Sequence, residues 1–189
     1  MIDQDLVDSG EAHCLIQLDK KSPTGIDNLY LVDNFFTAPL LSKLLTYTQT
    51  VGNWQKVELQ ENKNRTAILW DPDTVFEECH MILDRLSDCL NNEFKKDCKL
   101  TGLQIWKDLP GYYLKSHVDN SRIVYSLQVY LSTGIDQLGT HFYHNGITVE
   151  IPYKINTGYV TDAGQTLKHG LAKSVPDGHT RYSIYAIWA

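Results

Sequence analysis

The amino-acid sequence predicts a mainly β protein with helices near its N-terminus, arranged as a jelly roll. Two amphipathic helical patterns lie before position 100, and eight short β-type segments follow it. An Asn-Gly pair at 145–146, between two of those segments, is typical of a two-residue hairpin turn. Short strands separated by turns are the pattern of a double-sheet jelly roll. Because each helix has one apolar side, we expect the helices to pack on the outside of one sheet.

The chain of 189 residues fits a single domain. Neither an internal repeat nor a low-complexity segment divides it. Within one domain spanning 1–189 we expect a polar arm at 1–27, with a short strand near 14–18. A helical support region at 28–99 and a jelly-roll core at 100–189 follow.

The first helical pattern follows a strand expected at 29–32 and runs from about 38 to 50. Thr37 is the expected N-cap. Pro39 lies in the first turn, where its missing N–H removes no helical hydrogen bond. The apolar residues of this helix fall on one side, at Leu40, Leu41, Leu44 and Leu45.

The second helical pattern begins at Thr74, which forms a capping-box motif with Glu77. The spacing of its apolar residues predicts a helix with one side facing the core. This apolar stripe consists of Val75, Cys79, Ile82, Leu86 and Leu90.

The β-type segments have one apolar side and one polar side. Alternate residues of a strand point to opposite faces of its sheet, so each segment divides into two sets. In 123–131 and 180–188, one set is apolar or aromatic and the other carries hydrogen-bonding groups. The polar sets are Val124, Ser126, Gln128 and Tyr130 in the first segment and Arg181, Ser183, Tyr185 and Ile187 in the second. The eight expected strands lie at 101–107, 112–118, 123–132, 139–144, 147–151, 156–161, 166–171 and 180–188.

Arg181 is the most informative residue of these polar sets. If the helices cover the apolar face, the polar face lines the space between the sheets, where a buried cation needs an anionic partner. No spare carboxylate is evident near Arg181 in the sequence, so a bound dicarboxylate held by the guanidinium fork is a candidate. The alternative places the polar face in water, as in a half-exposed antiparallel sheet.

Two histidines and one aspartate form a candidate metal centre. His117 and Asp119 lie two residues apart, so on an extended segment they point the same way, and His169 follows after about fifty residues. Two imidazoles and one carboxylate on one face of a ferrous ion are the ligand set of many non-haem iron oxygenases. Because three protein ligands leave coordination positions open, this set indicates a catalytic metal.

Four segments follow one another in a specific order. They are 109–121 with the H-x-D motif, 129–132 with the sequence Val-Tyr-Leu-Ser, the pair His169-Gly170, and 178–184 with an R-x-S motif. In this order they resemble the Fe(II)/2-oxoglutarate-dependent dioxygenases, and the prolyl 4-hydroxylase-like branch in particular. The resemblance covers about 100–189 and extends more faintly toward the start of the helical region. It implies a double-stranded β-helix, which is the cupin-like form of the jelly roll inferred above.

The resemblance further implies that iron and 2-oxoglutarate bind in one cavity. The iron ligands would be the two histidines and the aspartate of the candidate metal centre. Arg181 would bind the far carboxylate of 2-oxoglutarate, with added contacts from Ser183 and Tyr130. The catalytic residues implied are His117, Asp119, His169 and Arg181.

The activity implied is hydroxylation of an unactivated C–H bond by O2, coupled to conversion of 2-oxoglutarate into succinate and carbon dioxide. Fe(II) and 2-oxoglutarate are the expected cofactors, with ascorbate as a candidate addition. A peptide or an amino acid is the favoured substrate. Some prolyl hydroxylases carry Lys at the position of Arg181, and Arg suits many other branches of the family, so proline is not the only candidate. A nucleobase or a small metabolite would also fit a pocket of this kind. Two alternatives also stay open: a cupin-like metal enzyme that does not use 2-oxoglutarate, and a jelly-roll binding module with an incidental H-x-D.

Composition bounds the partners and the compartment. The formal charge of −6 disfavours a nucleic-acid partner, which would need a basic footprint. No apolar run approaches the ~20 residues of a membrane span, and the acidic first residues lack the apolar stretch of a signal peptide.

The four cysteines form no C-x-x-C pair, so free thiols in a reducing cytoplasm are the expectation. The oligomeric state is left open.

Five further residues are candidates for the pocket. Tyr112, Tyr113 and Arg122 flank the H-x-D motif and are candidates for substrate contact. Trp54 and Arg65 lie in a segment that we place over the pocket mouth from its position alone.

Overall fold

Two antiparallel sheets packed face to face form the body of the protein. Aromatic rings join the sheets: Phe142 of the smaller sheet meets Tyr159 of the larger one edge-on, with 4.8 Å between ring centroids. The expectation of a mainly β, jelly-roll-like architecture is therefore confirmed. The structure is a computed structural model, and it describes residues 25–26, 28–57, 64–69, 77–162 and 167–189.

The described residues contain two helices and ten strands. The helices are α1 (Ala38–Thr50) and α2 (Glu77–Phe94). The strands are β1 (Leu29–Asp33), β2 (Gln55–Lys56), β3 (Arg65–Leu69), β4 (Leu100–Asp108), β5 (Tyr125–Tyr130), β6 (His141–His144), β7 (Ile147–Glu150), β8 (Thr157–Asp162), β9 (Lys168–Gly170) and β10 (Arg181–Trp188).

The larger sheet has seven strands in the order β1-β8-β5-β10-β4-β3-β2, and the smaller sheet has three in the order β7-β6-β9. All the strand pairs are antiparallel. The region 28–99 thus supplies three strands to the larger sheet as well as two helices. Strands β2 and β3 were not predicted. The first has only two residues, and in the second two polar residues precede three apolar ones, so neither has the alternating run that indicates a strand.

One apolar core lies between the helices and the outer face of the larger sheet. The predicted alternation holds over 125–131 and 182–188, where the apolar set of each strand faces this core. It is wrong before the regular strand begins at Tyr125, because Val124 packs against the core and Ile123 does not. Burying these side chains is the main favourable contribution to folding. The core includes Leu40 and Leu44 of α1, Leu83 and Leu90 of α2, and Leu103, Ile105, Leu127, Val129, Ile184 and Trp188 of the sheet.

Seven of the eight strands expected after position 100 are present within a residue or two of their predicted ends. The strand expected at 112–118 is wrong. A turn redirects the chain there: Tyr112 donates its N–H to the carbonyl of Leu109 at 2.9 Å, and Gly111 has a φ of 80°. Only His117 of that segment forms a β-bridge.

Helix α1 begins as expected, with Thr37 at the N-cap and a proline in the first turn, although the Thr37 side chain makes no capping hydrogen bond. In α2, Leu83 is fully buried where the prediction placed Ile82, which is only partly buried. The predicted cap at Thr74, the stripe residue Val75 and the arm strand at 14–18 lie outside the described residues. Neither described helix is long and apolar enough to cross a membrane.

Three cysteines lie among the described residues. Cys79 and Cys98 are buried free thiols, and burial raises the pKa of Cys79 to about 12. Cys89 is disulfide-bonded, so the expectation of free thiols is wrong at that position.

Leu83→Ala should lower the free energy of unfolding by about 2–5 kcal/mol, because truncating a fully buried side chain leaves a cavity. Met81, two residues earlier on the same helix, is 50% exposed. Met81→Ala is therefore the matched control and should change stability by less than about 0.5 kcal/mol. Urea unfolding measures both variants. Equal losses of unfolding free energy in the two variants would contradict the packing of Leu83 against the core.

Candidate metal centre and cavity

The backbones of His117 and His169 hold the two residues side by side. The N–H of His117 donates to the carbonyl of His169 at 2.9 Å, and the N–H of His169 donates to the carbonyl of His117 at 2.9 Å. This reciprocal pair of hydrogen bonds is that of an antiparallel β-bridge, so the two side chains point to the same face. The imidazole rings consequently lie 4.5 Å apart between centroids.

Gly170 gives a physical reason for the His-Gly pair. A Cβ at this position would lie 2.7 Å from the carbonyl oxygen of Leu114 and 2.9 Å from the backbone nitrogen of Ser116. Backbone atoms in a hydrogen-bonded segment cannot move aside cheaply, so a side chain here would push β9 away. The absence of a side chain therefore permits the close approach that aligns His117 with His169.

Asp119 completes a cluster of three donors. Its Oδ1 lies 3.8 Å from Nε2 of His117 and 3.6 Å from Nε2 of His169. One donor atom from each residue can be chosen so that all lie within 4.8 Å of one another. Metal bonds to nitrogen and oxygen are about 2.0–2.2 Å long, so donors that share an ion lie about 3–4 Å apart. The structure thus brings the three predicted ligands together, and the donor set fits one metal ion.

Backbone carbonyls orient both imidazoles. Nδ1 of His117 lies 3.1 Å from the carbonyl oxygen of Lys115, and Nδ1 of His169 lies 3.4 Å from that of Leu167. Because a carbonyl only accepts a hydrogen bond, each contact places the proton on Nδ1 and leaves the lone pair on Nε2. The two Nε2 atoms are the ones that face Asp119.

The environment of the cluster favours metal binding. The hydroxyl of Ser126 donates to Oδ2 of Asp119 at 3.3 Å, which leaves Oδ1 toward the histidines. Burial lowers the pKa of His169; the Asp119 carboxylate opposes this change, and His117 adds to it. A metal binds the neutral imidazole, so the lowered pKa keeps His169 ready as a ligand.

The three donors line a cavity of about 580 Å³ between the sheets. This volume lies within the range of small-molecule sites, and the walls combine aromatic and aliphatic groups with a few polar ones. Gln128 of β5 and Arg181 and Tyr185 of β10 line this cavity, and the other polar side chains of these strands, Ser126, Tyr130 and Ser183, are buried. The alternative that placed the polar face in water is therefore wrong. The cavity wall includes Arg65, Trp106, Gln128, Tyr159, Arg181 and Tyr185.

Arg181 is 1% exposed and already has a carboxylate partner. Its Nη1 donates to Oδ2 of Asp108 at 2.7 Å, and its Nε donates to the carbonyl of Leu138 at 3.0 Å. The expectation that no carboxylate lies near Arg181 is wrong, because the register of β4 and β10 puts Asp108 directly opposite it. Burial tends to lower the pKa of Arg181, but Asp108 and other neighbours raise it overall. No partner contacts Nη2 among the described residues, so this nitrogen can donate to a ligand.

A second arginine shares Asp108. Nε of Arg65 donates to Oδ1 at 2.5 Å and Nη2 donates to Oδ2 at 2.9 Å, which is a bidentate pair. The guanidinium of Arg65 also lies 3.7 Å from the ring centroid of Trp106 and 4.3 Å from that of Tyr112. Arg65 therefore forms part of the cavity wall, where the sequence suggested only a position near the mouth.

Tyr130 and Ser183, which the resemblance assigned to 2-oxoglutarate, are fully buried and do not reach the cavity wall. The hydroxyl of Ser183 accepts from Nε2 of Gln128 at 2.9 Å, and the hydroxyl of Tyr130 donates to Thr140 at 3.1 Å. Gln128 in turn accepts from Thr140 at 2.9 Å and from Tyr159 at 3.1 Å. The polar groups that face the cavity here are those of Gln128, Thr140 and Tyr159.

The remaining candidates divide between the cavity and the surface. Tyr112 lines the cavity, and burial raises its pKa to about 12. Tyr113 is 40% exposed and Arg122 is exposed. Trp54 packs against Tyr182 with 6.0 Å between ring centroids, on the side of the apolar core.

A sequence signal existed for Asp108 but not for Arg65. Gln104, Trp106 and Asp108 alternate with buried apolar residues along β4, in the same pattern that identified the polar sets of β5 and β10. Extending the alternation to this strand finds Asp108 on the interior face. Arg65 lies on a strand that the sequence does not predict.

No protein-family model matches the chain, and no curated protein matches it. Its likeness to known proteins is one of structure. A prolyl-4-hydroxylase of Pseudomonas putida superimposes with a TM-score of 0.71 at 15% identity, over 85% of this chain and 91% of that one. The chain has the fold of the 2-oxoglutarate- and iron-dependent oxygenases.

Two further structures share this oxygenase fold. A prolyl hydroxylase of Trichoplax adhaerens, in complex with a hypoxia inducible factor peptide fragment, has a TM-score of 0.69 at 12% identity, over 98% of this chain and 93% of that one. HygX of Streptomyces hygroscopicus, with nickel, 2-oxoglutarate and hygromycin B bound, has a TM-score of 0.64 at 11% identity, over 86% of this chain and 82% of that one. The fold is therefore shared by proteins whose bound molecules differ widely.

Asp119→Ala should weaken the binding of a divalent metal by more than about 100-fold. Substituting a residue that only orients a metal ligand changes metal affinity by about 10- to 100-fold, and Asp119 donates to the metal itself. Asp136→Ala, which removes an exposed carboxylate, is the control and should bind metal as the unaltered protein does. Calorimetric titration with Fe(II) under argon measures both. Unchanged affinity in Asp119→Ala would place the metal elsewhere.

Proposed function

We propose that the protein is an Fe(II)- and 2-oxoglutarate-dependent dioxygenase that hydroxylates an unactivated C–H bond. One observation carries the proposal: a single cavity contains both a cluster of two histidines and an aspartate and a buried arginine with a nitrogen left for a ligand. The cluster is the ligand set of ferrous oxygenases. The guanidinium suits the carboxylate of an organic acid.

The shared fold supports the same reading. HygX holds nickel and 2-oxoglutarate within this fold. The two prolyl hydroxylases named above share the fold over most of their length. Fold likeness at this level of identity leaves the chemistry to the site residues, and the site residues of this chain fit that chemistry.

Each residue of the centre has a role in the proposal. His117, Asp119 and His169 hold the iron, and Arg181 holds the far carboxylate of 2-oxoglutarate. When bound, iron and 2-oxoglutarate supply the oxidation by O2, with release of succinate and carbon dioxide. Ascorbate stays a candidate addition. The chain itself binds, orients and keeps water away, which is the part that a protein contributes to cofactor chemistry.

Tyr130 and Ser183 support the binding groups in this proposal. The Tyr130 ring lies 5.0 Å from the guanidinium carbon of Arg181, within reach of a cation–π contact. Ser183 holds the amide of Gln128, whose carbonyl accepts from two further hydroxyls. These bonds leave the polar wall beside Arg181 with little freedom, so the ligand meets groups that are already oriented.

The substrate approaches from the side of His117. Its side chain is 34% exposed, whereas those of Asp119 and His169 are 9% and 8% exposed. The nearby wall is aromatic, with Trp106 and Tyr185 stacked at 4.0 Å between centroids. We propose a peptide or an amino acid as the substrate class, because an apolar wall suits an aliphatic side chain and two relatives in fold are prolyl hydroxylases.

A metal-dependent enzyme that does not use 2-oxoglutarate is the second candidate. The observation in its favour is the ion pair between Arg181 and Asp108. Because a carboxylate of the chain already satisfies part of the guanidinium, burial of Arg181 does not by itself require a dicarboxylate. Titration of the Fe(II)-loaded protein with 2-oxoglutarate separates the two candidates.

Adding 2-oxoglutarate to the Fe(II)-loaded protein under argon should produce a weak visible charge-transfer band. The band requires the 2-oxo acid to chelate the iron, so it reports the proposed geometry directly. Asp119→Ala should give no band at the same concentrations. Metal binding without a band, in a protein with native circular dichroism, would favour the second candidate.

Arg181→Ala should raise the 2-oxoglutarate concentration needed for half-maximal succinate formation by at least about 30-fold. The change removes the cation that pairs with the far carboxylate of bound 2-oxoglutarate, and the loss of such a buried partner costs about 2–5 kcal/mol of binding free energy. Arg181→Lys keeps the charge but loses the planar guanidinium fork, so its 2-oxoglutarate requirement should lie between those of the unaltered protein and Arg181→Ala. Arg85→Ala, at an exposed position on α2, is the control. A normal 2-oxoglutarate requirement in Arg181→Ala would remove Arg181 from the site.

A further inference from the structure

We propose that the net charge of the rung formed by Arg65, Asp108 and Arg181 sets the affinity of the cavity for the far carboxylate of 2-oxoglutarate. This inference rests on the proposed function, because it assumes that the carboxylate binds at Arg181. It makes Arg65 and Asp108 affinity-determining residues of the site. Both act through the charge that they add to the surroundings of Arg181.

Strand register builds the rung. Asp108 of β4 lies opposite Arg65 of β3 and also opposite Arg181 of β10, so the three residues form one line across neighbouring strands. Residues in such a line share a face of the sheet. The face is the interior one, because both arginines line the cavity.

The rung is buried, so water screens its charges weakly. Asp108 is 0% exposed, Arg181 is 1% exposed and Arg65 is 8% exposed. Interactions between charges are several times stronger at such sites than in bulk water. Two guanidiniums and one carboxylate leave a net charge of +1 beside the place where a ligand carboxylate would bind.

Asp108 is a fixed counter-charge that cannot swing away when a ligand arrives. It accepts three charge-assisted hydrogen bonds, two from Arg65 and one from Arg181. Arg65 is itself held between the rings of Trp106 and Tyr112. A ligand at Nη2 of Arg181 therefore experiences the attraction of two cations and the repulsion of Asp108 at the same time.

Changing one of these charges should change binding by a large factor. At an effective dielectric of about 20, a unit charge about 6 Å from the ligand alters the binding constant by more than about tenfold. Removing Arg65 leaves a neutral rung and should weaken binding. Removing the charge of Asp108 leaves a rung of +2 and should tighten it.

A purely structural role for the rung makes a different prediction. If Asp108 only held Arg181 in place, then disturbing Arg65 or Asp108 would weaken binding in both cases. The nitrogen Nε of Arg181 has its own anchor at the carbonyl of Leu138. An asparagine at position 108 keeps an oxygen acceptor as well, so the guanidinium stays oriented when only the charge is removed.

Three variants and one control test the charge. Arg65→Met, Asp108→Asn and the double variant Arg65→Met/Asp108→Asn have rung charges of 0, +2 and +1. Lys107→Met is the matched control, because Lys107 is next to Asp108 but on the opposite face of β4, 5.2 Å from the ring of Trp54. Anaerobic calorimetry on the Fe(II)-loaded proteins gives the dissociation constant of 2-oxoglutarate, and melting curves check the fold.

The expected pattern has opposite signs. Arg65→Met binds 2-oxoglutarate about tenfold or more weakly, and Asp108→Asn binds it more tightly. The double variant returns to within about threefold of the unaltered protein, and Lys107→Met does not change. With 2-oxobutyrate, which lacks the far carboxylate, all the variants should shift much less.

Two results would overturn the inference. Weaker binding in both single variants would make the rung structural, and failure of Asp108→Asn to restore binding in the Arg65→Met background would do the same. This second comparison decides the matter even if Asp108→Asn alone does not fold, because the double variant carries no excess charge. No binding of 2-oxoglutarate by the unaltered protein would instead overturn the proposed function, and this inference with it.

Discussion

Two backbone hydrogen bonds between His117 and His169 are the constraint on which the candidate site depends. They attach an irregular segment, the one that follows β4, to β9 at the edge of the smaller sheet. Gly170 makes the attachment possible, because any side chain there would meet the backbone of the facing segment. Asp119 follows two residues after His117, so the same attachment brings its carboxylate to both imidazoles. Three donors from two distant parts of the chain thus meet through main-chain geometry.

The rest of the cavity follows from the alternation of side chains along the strands of the larger sheet. One set of residues packs under the helices, and the other set faces the smaller sheet. Polar groups in such an enclosed space cost free energy unless they are paired. The chain satisfies them with each other, through the rung of Arg65, Asp108 and Arg181 and through the hydrogen bonds around Gln128. Contacts within the chain therefore fix both the charge and the orientation of the polar groups in the cavity wall.

The sequence predicts the layers of this fold and the metal cluster, but not the contacts across strands. Alternation and helical spacing are local, so the covered faces and the positions of Arg181 and Gln128 could be read from short segments. The H-x-D and His-Gly motifs gave the three donors for the same reason. The partner of Arg181 depends on the register between β4 and β10, which is a property of residues far apart in the chain. For this reason the sequence missed Asp108, and it suggested Arg65 only from its position in the chain, without its ion pair. The hydrogen bond between the hydroxyls of Tyr130 and Thr140 also joins residues of different strands and loops, and no local pattern predicts it. The strand expected at 112–118 failed because a turn with Gly111 in a left-handed conformation interrupts an otherwise extended pattern.

The central claim is that His117, Asp119 and His169 share one metal ion. Anomalous diffraction at the iron edge, from crystals grown and loaded with Fe(II) under argon, tests it most directly. The account predicts one peak at about 2.0–2.2 Å from Nε2 of each histidine and from Oδ1 of Asp119. A peak at another position, or no peak among these three residues at full iron loading, would contradict it.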